Sequence, residues 1–167
     1  MVFLGGAALG AGGGYVAKAE VHDETRFLNF DVESTPADAL GPGWSSFEGT
    51  RSGDTFAWCT ARSCSVRVHV VSADNRIVRL RVRPFRYPGA PPQRATVSIN
   101  DKPVSTLTLP EGDNVLTIGA DRRFWHTGVN ALRFDLAYAE APKEHIPGTD
   151  DDRRLSIAVD WIEISRR

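Results

Sequence analysis

From about residue 27 onward, apolar side chains recur at every second position, the pattern of strands with one buried face. Leu28, Phe30 and Val32 share one parity, with Asn29, Asp31 and Glu33 on the other. Residues 34–53, which hold Gly-Pro-Gly before Trp44, read as loop. Phe56 and Trp58 open a strand, and Val66, Val68 and Val70 continue after a short turn. Val78, Leu80 and Val82 then point one way and Arg79, Arg81 and Arg83 the other, until Pro84 ends the run. Ala95, Val97 and Ile99, a turn at Asn100-Asp101-Lys102 and a strand through Leu107 and Leu109 predict a hairpin, although Lys102 stands where glycine is usual. Short strands follow near Val115–Ile118 and through Leu132, Phe134 and Leu136. In the last strand, Leu155 to Ile164, the phase slips: Leu155, Ile157, Val159 and Trp161 alternate, but Ile162 and Ile164 have the other parity. A bulge near Asp160-Trp161 would reconcile the two halves. No segment sustains a 3.6-residue period, so eight to ten strands and no long helix are expected. The fold class is all-β, an antiparallel β-sandwich.

At 167 residues the chain suits one domain with a substantial core. A net charge of −1 gives no global attraction to nucleic acid or to an acidic membrane. Cys59 and Cys64 flank a tight strand-to-strand turn, where two cysteines can meet disulfide geometry. A bridge would imply an oxidising compartment. Residues 2–17 are apolar and rich in Gly and Ala, and Ala17-Lys18-Ala19 has the form of a cleavage site. A secretory signal, the remnant of a membrane segment and a Gly-rich leader all fit. The expected organisation is therefore a leader and linker over 1–26 and a sandwich over 27–167, placed outside the cytoplasm by the first two readings. Any membrane contact would run through that leader.

The stretch Thr127-Gly128-Val129-Asn130-Ala131-Leu132-Arg133-Phe134 resembles the G-x-N-x-L-x-F strand of galactose-binding-like jelly rolls. Val159-Asp160-Trp161-Ile162-Glu163-Ile164 is similar to their closing strand. With Gly43-Trp44-Ser45-Ser46-Phe47-Glu48 and residues 92–100, these pieces also resemble accessory β-sandwich regions of bacterial membrane glycosyltransferases and cell-envelope proteins. There a D-x-R-x-L run precedes the final strand, and Asp152-Arg153-Arg154-Leu155 keeps only part of it. The resemblance implies a carbohydrate-binding-module-like jelly roll without catalysis. Its marks speak for fold more than for ligand.

Sugar recognition needs exposed aromatic faces beside groups that read hydroxyls. Trp125, flanked by Arg122, Arg123 and His126, is the first candidate platform, and Trp44 the second; Trp58 and Trp161 alternate with core positions and are expected to be buried. Arg79, Arg81 and Arg83 share parity with Arg67 and His69. If their strands pair, a basic patch results; otherwise the arginines lie on a solvated face balanced by acids such as Asp135. No cofactor is expected. A structural calcium could draw on Asp150–Asp152, Asp31, Glu33 and Asp160, but spacing supplies no full ligand set. The four histidines form no metalloprotease motif, and no nucleophile elbow or phosphate loop is present. The expected function is a non-enzymatic, extracytoplasmic accessory module, with a glycan or envelope polymer as partner. The alternatives are docking onto a parent membrane protein, or being a non-catalytic fragment of an enzyme.

Overall fold

The structure, a computed structural model, describes residues 25–30, 35–36, 38–50 and 53–167. The 1–26 leader lies almost wholly outside these, as do Asp31, Val32 and Glu33. Among the described residues, no helix is long and apolar enough to cross a membrane.

Among the described residues, ten strands form two antiparallel sheets: β1 (Arg26–Asn29), β2 (Trp44–Gly49), β3 (Thr55–Cys59), β4 (Ser63–Val70), β5 (Arg76–Pro84), β6 (Arg94–Ile99), β7 (Lys102–Thr108), β8 (Asn114–Ala120), β9 (Gly128–Leu136) and β10 (Ile157–Arg166). One sheet is six-stranded, ordered β2-β3-β10-β5-β8 with β1 also on β10; the other is β4-β9-β6-β7. The sandwich follows from the two-residue period, because each sheet has one apolar face and must bury it against the other. Val66, Val68 and Val70 of β4, Val78, Leu80 and Val82 of β5, and Leu132, Phe134 and Leu136 of β9 all point into one core.

The expected irregularity in the last strand is present. The β10–β5 register shifts between Val159 and Trp161. Val159 and Ile162 are both fully buried, so the two residues between them, Asp160 and Trp161, share the outer side. The bulge also divides one edge of β10 between two partners: Ile157–Val159 pair with β3, and Trp161–Ile164 pair with β1.

The β6–β7 hairpin is present as well. Its turn residues are Asn100 (φ 50°) and Asp101 (φ 63°), and Ile99 pairs directly with Lys102. Both left-handed positions are taken by residues that tolerate them, so Lys102 already belongs to the strand. Cys59 and Cys64 form a disulfide, with Cα atoms 5.9 Å apart. It joins the six-stranded sheet to the four-stranded one where the chain crosses between them.

Residues 34–53 are not all loop, because β2 lies there. Its register on β3 shifts between Trp44 and Phe47, which hides the two-residue period. Nor do the strands of the two basic stripes pair. β4 and β5 belong to different sheets, so Arg67 and His69 face away from Arg79, Arg81 and Arg83 across the sandwich.

Candidate functional site

The loop from Asp121 to Thr127 does not present Trp125. A single 3-10 turn, Arg122–Phe124, is closed by the Phe124 and Trp125 amides donating to the Asp121 and Arg122 carbonyls. That turn leaves Arg122, Arg123 and His126 exposed and folds Trp125 beneath them, 5% exposed. The fully buried Arg76 guanidinium lies 5.9 Å from its ring centroid. Asn130 fixes the loop: its Oδ1 accepts from the His126 amide (3.0 Å), and its Nδ2 donates to the His126 and Gly128 carbonyls (2.8 and 3.0 Å). The asparagine of the G-x-N-x-L-x-F run is thus a buried brace. Trp44 is also held inward. Its ring packs 5.1 Å from Phe30, and its Nε1 donates to the Ser65 carbonyl at 2.8 Å. Trp125 belongs to the buried core, and Trp44 is partly buried with one side packed against it.

The exposed aromatic surface lies on the outer face of the six-stranded sheet. Ala57 and Cys59 take the inward positions of β3, so Phe56 and Trp58 face out, edge to face at 6.0 Å. The β10 bulge turns Trp161 out too, where it stacks on Phe27, itself 56% exposed, at 5.8 Å and 29°. Trp58 and Trp161 are therefore half-buried surface residues rather than core. Sequence parity misplaced them because β3 buries its small residues, and because the slip at Asp160 reverses the parity of β10.

The arginines of β5 interleave with these rings. Arg79 lies 5.9 Å from the Trp161 centroid, and Arg83 lies 5.2 and 5.8 Å from those of Phe56 and Trp58. Each also meets a carboxylate: Arg79 with Glu163 (3.4 Å), Arg81 with Asp160 (2.8 Å) and Asp54 (3.7 Å), and Arg83 with Asp113 (3.9 Å). The face is balanced in charge, as the solvated reading expects, but not by Asp135, which pairs with Arg133 on the opposite sheet. Burial pushes the Asp160 carboxyl above its ordinary value, against the pull of Arg81. Arg81 uses one terminal nitrogen for both acids, so the rest of its guanidinium fork is available to a ligand. Between Phe56, Arg83, Asp113 and Asp160 sits a notch of about 30 Å³, room for one hydroxyl-sized group rather than a whole ring.

Three of the acids considered for calcium, Asp151, Asp152 and Asp160, pair with basic side chains. Asp151 binds the Arg153 guanidinium, which holds its carboxyl below the usual range, and Asp152 lies 3.5 Å from Lys143. Asp160 belongs to Arg81. No site assembles from the residues named for it that are described.

Searches for relatives point to this architecture. No family model matches the chain, and no curated protein matches it. Solved structures do. A xylan-binding module of family 15 superposes with a TM-score of 0.54 at 9% identity, covering 87% of this chain and 97% of its own. A family 35 carbohydrate-binding module from Clostridium thermocellum gives 0.53 at 13% identity, covering 84% and 98%. A family 35 module from Cellvibrio japonicus gives 0.50 at 17%, covering 84% and 92%. This chain shares its antiparallel β-sandwich fold with these carbohydrate-binding modules. At these identities the likeness fixes the jelly-roll sandwich and leaves the ligand to the residues of the face.

Proposed function

We propose that this chain is a non-catalytic, extracytoplasmic module that binds a polysaccharide across the outer face of its six-stranded sheet. The observation that carries the reading is the placement of two aromatic pairs, Phe27–Trp161 and Phe56–Trp58, around the Arg81–Asp160 pair on that one face. The apolar face of a pyranose packs on such rings, and fixed guanidinium and carboxylate groups read its hydroxyls. The notch beside Asp160 takes one projecting hydroxyl. Fold likeness to modules described as xylan-binding or carbohydrate-binding supports the reading without naming the sugar. The disulfide supports a location in an oxidising compartment. Arg122, Arg123 and His126 form a polar rim elsewhere, with Trp125 folded beneath it.

The test is retention on insoluble polysaccharides, including a neutral xylan, a mannan and a uronic-acid polymer. Wild type is expected to bind at least one. The double variant Trp58→Ala/Trp161→Ala is expected to lose affinity at least tenfold, with Arg133→Ala on the other sheet unchanged. Retention by the double variant would remove this face from the account. Binding to none would favour docking onto a parent protein.

A further inference from the structure

The segment between β9 and β10 carries a group of side chains that glycan binding does not use. Almost every acid on the six-stranded face is paired with an arginine, whereas Glu140 and Glu144 lie within ion-pair reach of no arginine or lysine among the described residues. Their neighbour is His145. One ligand atom from each of Glu140, Glu144 and His145 can be chosen so that all three lie within 4.8 Å of one another.

The scaffold holds each of them in place. Glu140 is locked to Leu155 by a reciprocal pair of backbone hydrogen bonds, at 2.9 and 3.1 Å. Glu144 and His145 come from the one-turn helix α1 (Pro142–His145), which opens on proline and closes with the Ile146 amide donating to the Pro142 carbonyl. The His145 ring stacks on Tyr87, with centroids 3.9 Å apart and planes at 15°. Tyr87 packs in turn on Tyr138, whose hydroxyl donates to the Phe85 carbonyl at 2.7 Å. Stacking fixes the direction in which the imidazole nitrogens point.

His145 Nε2 is buried and has no hydrogen-bond partner. It faces Glu140 Oε2 at 3.6 Å, too long for a hydrogen bond. That spacing suits a shared cation: two ligands each about 2.0–2.1 Å from a tetrahedral zinc stand about 3.3–3.4 Å apart. The donor set also selects the metal. One imidazole and two carboxylates suit zinc and its first-row neighbours, whereas calcium wants six to eight oxygens. The geometry points to a divalent transition-metal site formed by Glu140, Glu144 and His145, with one position left open. A metal there would tie the helical turn to Glu140, the residue bridged to Leu155 just before β10.

The experiment uses the full chain, stripped with a chelator, and zinc alone as the probe. Calorimetry is expected to show one zinc per chain, a raised melting temperature, and no comparable response to calcium or magnesium. His145→Gln and Glu144→Gln are each expected to weaken zinc binding at least tenfold. Cobalt is expected to give a tetrahedral visible spectrum that His145→Gln abolishes. Glu144 is exposed, so Glu144→Gln remains informative if the histidine variant folds poorly. Absence of zinc binding would overturn the assignment and leave His145–Glu140 as a simple ion pair. Zinc binding indifferent to both variants, or matched by calcium, would overturn it equally.

Discussion

The two outer faces of this sandwich are built by the same alternation and end up chemically unlike. The four-stranded sheet shows solvent Arg67, Ala131, Arg133, Asp135 and a Thr96–Thr106 hydrogen-bonded pair, a surface without phenylalanine, tyrosine or tryptophan. The six-stranded sheet shows Phe27, Phe56, Trp58 and Trp161 threaded with three arginines. Inward, the two sheets are interchangeable in kind, valine, leucine, isoleucine and phenylalanine against one another. The difference teaches that the inward half of the period pays for folding while the outward half is free to carry function. Rings left on an outer face, where burial would have been more stabilising, are the reason the proposed binding face is placed there.

The comparison can be broken first through Trp125. If it fills the core, Trp125→Ala should cost about 3–5 kcal/mol of stability. At a temperature where the variant is still folded, its affinity for polysaccharide should match wild type; a stable variant with lost affinity would return recognition to the 121–127 loop. Next comes the clamp between the sheets. Replacing Cys59 and Cys64 by alanine should cost about 2 kcal/mol for so short a loop, read as a lower denaturation midpoint. The affinity of folded protein should stay unchanged, because both cysteines face inward. A smaller effect sharpens the functional face itself. Arg83→Ala removes cation–π contacts worth about 0.5–1 kcal/mol and should weaken polysaccharide binding about two- to fivefold. The same change at Arg67 should do nothing.

The smallest effect concerns Asp160. Its carboxyl titrates above the ordinary 3.8 because burial penalises the charge. In the window from 3.8 up to the folded value, the native state keeps a proton that the unfolded chain has lost. Stability therefore falls as pH rises through that window. Asp160→Asn should flatten this slope, read from denaturation midpoints across that pH range. A wild-type protein whose stability rises through the same window would show that Arg81, not burial, dominates there.

Much of the fold was legible along the chain, and particular residues show why. Val78, Leu80 and Val82 against Arg79, Arg81 and Arg83 announce a strand and its two faces without any tertiary knowledge. The parity change at Ile162 announces the bulge, since no regular strand could bury both Val159 and Ile162. Asn100-Asp101 specifies the tight turn, and the short Cys59–Cys64 spacing the bridge. The site was far less legible. Trp125 sits among loop residues yet is buried, and Trp44 is partly buried against the core; Trp58 and Trp161 sit among core positions, yet both face out. Glu140, Glu144 and His145 gave no motif, because one of the three lies outside the helical turn that supplies the other two.

What the sequence alone determined is the period, and with it the strands, the apolar face of each and the all-β class, because alternation is a local property that every short segment carries. What only the tertiary structure decided is which strands share a sheet and which rings meet solvent. Those depend on pairings between residues distant in the chain: β10 lying between β3 and β5, and β4 joining β9 rather than β5. No local pattern encodes a partner. Sheet membership sets the neighbours of every outward side chain, so the proposed binding face is assembled only once the chain has closed on itself.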